Sequence, residues 1–157
     1  MKNRNWKPYA FWIGLSEATG GLSAWLSRDG MKIYSESVRQ PPLSPPPVLF
    51  PIVWSGLYAL MGISAAKLWK APPSAARSMA LNLFIAQLVL NFFWSLIFFN
   101  ALAYAAALLW LLILWLTVLC MILLMRKVSP AAAWLQIPYL LWLTFAAWLN
   151  YGVWQLN

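Results

Sequence analysis

The chain reads as an all-α integral membrane protein, a single bundle of five transmembrane helices. Three observations predict this. Hydrophobic residues fill 63% of the 157 positions and charged residues only 9%, against about 25% charged in a soluble domain. Asp, Glu, Lys and Arg are missing from 78–125 and again from 128–157, stretches that lipid accepts and water would not solvate as surface helices. Five stretches approach the roughly 20 apolar residues that cross a bilayer core.

The first span, 9–26, follows the basic lead "MKNRNWKP". Glu17 interrupts it and the apolar run continues beyond, so it reads as a retained helix, not a cleaved signal peptide. The second span, 48–69, follows the proline-rich "QPPLSPPPVLFPIVW". The third, 79–99, contains "LNLFIAQLVLNFFWSLIFF", and the fourth, 101–125, is the most uniformly apolar. The fifth, 131–154, is "AAAWLQIPYLLWLTFAAWLNYGVW". The one long connector, 27–47, reads as a loop on a single side of the membrane.

Charge gives a direction. Lys2, Arg4, Lys7, Lys70, Arg77, Arg126 and Lys127 collect on the N-terminal side of the five spans. Arg28, Lys32 and Arg39 lie on the other side, accompanied by Asp29 and Glu36. The Lys/Arg bias places the N-terminus in the cytoplasm and the C-terminus outside, with 27–47 on the outer face of the cell membrane. The net charge of +8 is thereby accounted for without a nucleic-acid partner. Trp6, Trp12, Trp25, Trp69 and Trp154, near span ends, read as headgroup-zone anchors.

The chain has no histidine and one cysteine, Cys120. No metal site, no intrachain disulfide and no cofactor is expected, and Cys120 reads as a small packing hydrophobe.

Inside the spans, residues three or four apart share a helix face. Trp54, Tyr58 and Gly62 do so on the second span. Gln87, Asn91, Trp94, Ser95 and Phe98 do so on the third, and Pro138, Trp142, Ala146 and Asn150 on the fifth. Amides facing lipid would be left without partners, so these stripes point inward. Two uses remain open: fastening helices at about 0.6 kcal/mol per hydrogen bond, or lining an aromatic pocket with a few polar groups. Trp54, Trp94 and Trp142 would sit in the outer half of the bundle, beneath the proline connector. Pro138 cannot donate to the carbonyl of Trp134, so a kink or loosened turn is expected there. Glu17 is the only acid within a span, a functional candidate or a hydrogen-bonded structural acid. Ser16, Gly20 and Ala24 form one small-residue face for helix contact, and Ala103 and Ala107 another.

Three segments, "PPLSPPPVLFPIVWSGLYALMGIS", "QLVLNFFWSLIFF" and "LQIPYLLWLTFAAWLNYGVWQLN", resemble the signature regions of the TspO/translocator-protein family. That family includes bacterial tryptophan-rich sensory proteins and animal peripheral-type benzodiazepine receptors. The resemblance spans nearly the whole chain. It implies a five-helix bundle, usually dimeric, with the first loop folded over a pocket for porphyrins such as protoporphyrin IX and for benzodiazepine-site ligands. By that resemblance Trp54, Tyr58, Asn91, Trp142 and Ala146 line the pocket; Trp94 joins them from its stripe. The loop with Pro41, Pro42, Pro45 and Pro46 forms the lid, its prolines limiting the entropy lost on ordering. Light-dependent porphyrin breakdown, attributed to bacterial relatives, would make Trp54 and Trp142 catalytic.

Two departures stand out. Tyr34, Ser35 and Gln40 occupy loop positions where many relatives carry a Trp-Tyr pair and a Lys. No Lys or Arg follows Lys127, so the C-terminal sterol motif of animal relatives is absent and sterol binding is unsupported. The leading expectation is a receptor or sensor for a planar, porphyrin-like molecule. The alternatives are a photo-oxidative porphyrin-degrading enzyme and a porphyrin transporter. Without paired carboxylates or histidine, conventional acid–base chemistry has no candidates.

Overall fold

A computed structural model describes residues 5–157; Lys2 and Arg4, used above for orientation, lie outside them. The elements are α1 (Lys7–Leu26), α2 (Arg28–Ser37), α3 (Leu49–Lys70), α4 (Ala75–Ser95), α5 (Tyr104–Val128) and α6 (Pro130–Leu156). A π-helical turn, Leu96–Asn100, prolongs α4. Among the described residues there is no strand.

Four stretches are long and apolar enough to cross a membrane: Leu49–Lys70, Ala75–Asn100, Tyr104–Val128 and Pro130–Leu156. The segment α1 is helical for 20 residues, but Ser16, Glu17, Thr19 and Ser23 make it less apolar than the others.

Local sequence explains the helix ends. Ser74 Oγ accepts from the Arg77 amide at 3.1 Å and Ser129 Oγ from the Ala132 amide at 3.3 Å, capping α4 and α6. Pro130 opens α6, where a missing N–H leaves no bond unmade. Lys67 and Lys70 end α3, and Arg126 and Lys127 end α5, placing cations at the negative ends of those helices. The helix α6 runs continuously from Pro130 to Leu156 with Pro138 inside it.

The bundle is built from α1 on α3, α5 between α4 and α6, and α3 against α6. The α1–α3 contact is close because both contribute glycine. A Cβ on Gly62 would strike the backbone of Ile13, and one on Gly20 would strike the ring of Tyr58. The small face of α1 is thus used at Gly20 within the bundle, and Ala107 is buried beside Phe98 and Val153.

Two expectations are corrected. The connector 27–47 is not all loop, because 28–37 forms α2. Met31, Tyr34 and Val38 recur at helical spacing, and Tyr34 packs on Phe98 and Phe99, with ring centroids 5.4 Å away in each case. Trp12 is not an interfacial anchor. It is buried in the core, edge-on to Phe84 at 5.6 Å, whereas Trp6, Trp25, Trp69 and Trp154 are exposed.

Candidate functional site

A cavity of about 560 Å³ opens between α1, α3, α4 and α6, under α2 and the extended strap that follows it. Trp54, Tyr58, Asn91, Trp94, Trp142 and Ala146 all line it. The three helix stripes therefore converge on one space. They do so because their aromatic and amide positions each repeat on one face, and those faces turn inward together.

Trp54 is the centre of the aromatic wall. Its ring stacks on Tyr58 with centroids 5.5 Å apart, and meets Trp142 edge to face at 6.3 Å and 87°. Phe50 adds an edge-on contact to Trp142 at 6.0 Å. On the opposite wall Trp94 stacks on Phe98 at 5.0 Å. Such offset and edge-to-face pairs hold rings in fixed orientations, so the wall is preorganised.

The amides do something different from what pocket lining alone suggests. Tyr58 Oη donates to Asn91 Oδ1 at 3.1 Å, and Asn91 Nδ2 donates to Tyr139 Oη at 2.7 Å. Tyr139 Oη in turn donates to Gln87 Oε1 at 2.9 Å. This chain ties α3, α4 and α6 together directly beneath the cavity. Above it, Trp94 Nε1 donates to Asn150 Oδ1 at 3.2 Å, while Asn150 Nδ2 donates to the Tyr104 carbonyl at 2.9 Å. Both uses of the amides thus coexist: Asn91 and Asn150 line the cavity, and their polar atoms fasten helices.

Tyr139, 1% exposed, escaped the sequence reading although it precedes Trp142 by three positions and shares its helix face. Phe50, Phe98 and Phe99 also line the cavity, as do Lys32, Tyr34 and Ser35 from α2. Burial pushes the Tyr34 phenol up to about 12, with the nearby Tyr104 a second cause. Glu17 is not among the lining residues.

The lid prolines divide. Pro45 lines the cavity, together with Pro47 and Gln40. Pro42 and Pro46 are exposed, and Pro41 is buried. Pro41 rests on Gly152 of α6, where an added Cβ would come within 2.7 Å of the proline ring. Beside it the Arg39 amide donates to Asn157 Oδ1 at 3.2 Å, and Asn157 Nδ2 donates back to the Arg39 carbonyl at 2.9 Å. Ser44 Oγ closes a turn on the Pro41 carbonyl at 2.7 Å, with Leu43 at φ 66°. The strap is therefore pinned at its start to the end of α6 and crosses the cavity from there.

The family model described as the TspO/MBR family matches residues 7–155. The tryptophan-rich protein TspO of Chlorobaculum tepidum is 34% identical, over 94% of both chains. The translocator protein of Ovis aries is 35% identical, over 97% of this chain and 91% of its own. The tryptophan-rich sensory protein of Cereibacter sphaeroides is 29% identical, over 99% and 94%.

Proposed function

The chain belongs to the TspO/MBR family, and from that premise we propose that it is a membrane receptor or sensor for a planar, porphyrin-like molecule. The observation that carries this is the pair Trp54 and Trp142. They form a fixed aromatic wall in a cavity of about 560 Å³ roofed by α2 and the proline strap. A concave, largely apolar site with a few oriented polar groups is what small-molecule recognition requires. Among the described residues neither carboxylate, histidine nor cysteine lines it, which favours binding over acid–base catalysis. Benzodiazepine-site ligands would occupy the same space.

In this reading α1 is the fifth span, the N-terminus is cytoplasmic, and the strap and α2 lie outside. The protein works as a homodimer in the cell membrane. Titration of the protein in nanodiscs with protoporphyrin IX tests the proposal: saturable quenching of tryptophan fluorescence is expected, and its absence would overturn it. Photochemical breakdown stands on the same two indoles. It predicts loss of the porphyrin Soret band on illumination that Trp54→Ala with Trp142→Ala abolishes.

A further inference from the structure

We propose that the seam between α1 and α4 holds an anionic phospholipid, with its headgroup on Arg77 and Lys70 and an acyl chain in the groove beside Leu15 and Val89. The inference goes beyond the binding reading above and does not involve the roofed cavity.

The headgroup end is built from cations held in place. Arg77 Nε donates to the Leu68 carbonyl at 3.2 Å and Nη2 to the Trp69 carbonyl at 2.6 Å, and the guanidinium lies over the Trp69 ring at 5.0 Å. A guanidinium has five N–H donors, so this arrangement fixes the charge and still leaves donors for a phosphate. Lys70, beside Trp69, has its ammonium over the Tyr9 ring of α1 at 5.2 Å. Lys7 is exposed at the start of α1. The chain's three acids lie elsewhere, Glu17 midway along α1 and Asp29 and Glu36 on α2 at its far end. This corner is therefore positive with no carboxylate of its own, and Trp69 and Tyr9 are residues of the headgroup zone.

The seam continues from that corner into the apolar depth. The Trp12 ring lies 6.1 Å from Trp69 and 5.6 Å from Phe84, joining the headgroup end to the contact of α1 with α4. Beyond it a groove of about 270 Å³ opens between Leu15 and Thr19 of α1 and Ile85, Val89, Phe92 and Phe93 of α4. Thr19 Oγ1 donates to the Leu15 carbonyl at 2.8 Å, so its hydroxyl is matched within α1 and the groove offers hydrocarbon. Ser23 Oγ donates to the Phe92 carbonyl at 2.9 Å, fastening the two helices where the groove ends. Ile85 and Val89 lie about 12 and about 18 Å along α4 from Arg77 at 1.5 Å per residue. That is the depth an acyl chain reaches across half of a core about 30 Å thick. A neutral lipid would gain the groove without the ion pairs, and a free phosphate the ion pairs without the groove. An anionic lipid uses both.

Native mass spectrometry of the detergent-solubilised protein, titrated with palmitoyl-oleoyl phosphatidylglycerol and the matching phosphatidylcholine, tests this. Wild type should retain one phosphatidylglycerol with about tenfold preference, the scale of two basic side chains at a membrane surface. Lys70→Gln should reduce the preference to about threefold, and Lys70→Gln with Arg77→Gln to near unity. Because Arg77 also ends α3, Lys70→Gln by itself decides the matter where the double variant does not fold. Val89→Trp should fill the groove and remove the advantage of the long-chain lipid over dihexanoyl phosphatidylglycerol. Inorganic phosphate should not displace the lipid. Equal retention of the two headgroups by wild type, an undiminished preference in Lys70→Gln, or displacement by phosphate would overturn the proposal. Paired copies that retain no lipid and that Val89→Trp separates would give the groove to a second copy of the chain, and would overturn it as well.

Discussion

Pro41 of the strap sits directly on Gly152 of α6, with room for hydrogen and none for a methyl group. A Cβ at 152 would lie 2.7 Å from the Pro41 Cβ and 2.9 Å from its Cγ, closer than real Cβ contacts allow. Together with the reciprocal hydrogen bonds of Arg39 and Asn157, this contact determines how the roof lies over the cavity.

Gly152→Ala should therefore lift the strap without unfolding the bundle. Overpacking of this kind costs about 1–3 kcal/mol, and displacing the strap relieves it. Stopped-flow dilution of bound protoporphyrin should show dissociation faster by about tenfold. An unchanged rate would mean that the strap does not retain the ligand.

Trp54→Ala and Trp142→Ala should each weaken protoporphyrin binding by about 30-fold or more, the scale of a buried aromatic anchor. Trp54→Phe should retain most of the affinity, because a ring still stacks on Tyr58. Equilibrium titration of the three variants checks this. An alanine variant with wild-type affinity would disprove the aromatic wall.

Asn91→Ala should act mainly on stability. It strands the Tyr58 hydroxyl and takes one of the two hydrogen bonds of Tyr139 Oη, which still donates to Gln87, and a buried polar group left unmatched costs about 1–3 kcal/mol. Thermal midpoints in detergent should fall for Asn91→Ala and for Tyr139→Phe. The double variant should fall by less than the sum, since both break one network. Strict additivity would show that the chain of bonds does not act as a unit.

Gln136 is fully buried in α6, and neither its amide oxygen nor its nitrogen has a hydrogen-bond partner among the described residues. Gln136→Met keeps the volume and removes the unmatched groups, so the thermal midpoint should hold or rise, by up to about 2 kcal/mol of added stability. A clear fall would show that the amide makes a stabilising interaction.

Tyr34 supplies a pH dependence. Burial raises its phenol from the ordinary 10.0 to about 12, so the folded state keeps a proton that the unfolded state releases. Its contribution is complete below pH 10.0 and is lost as pH rises towards about 12. Tyr34→Phe should flatten that alkaline decline in midpoint; an identical decline would assign it to other groups.

The site was legible where one helix face repeats. Trp54 and Tyr58, Asn91 and Trp94, and Trp142 and Ala146 each lie three or four positions apart. In lipid an amide has nowhere to turn but inward, so their common direction followed from the sequence. The helix α2 was not anticipated, although Met31, Tyr34 and Val38 carry helical spacing. That ten-residue helix is too short to hold by itself and is docked on the aromatic turn at Phe98 and Phe99. Trp12 was misplaced for a related reason: its position near a span end says nothing about which neighbour covers it.

Sequence alone determined the class of protein, the inward faces of three helices and the family, because hydropathy and periodicity are local properties of the chain. Tertiary structure decided what those faces do to one another. Only packing revealed that Asn91 and Asn150 bond across helices while lining a cavity, that Tyr139 joins them, and that Gly152 receives Pro41. It also brought Lys32 of α2 into the lining of the cavity. Pairing of buried donors and close approach depend on distances between segments far apart in the chain, and no local pattern encodes those distances.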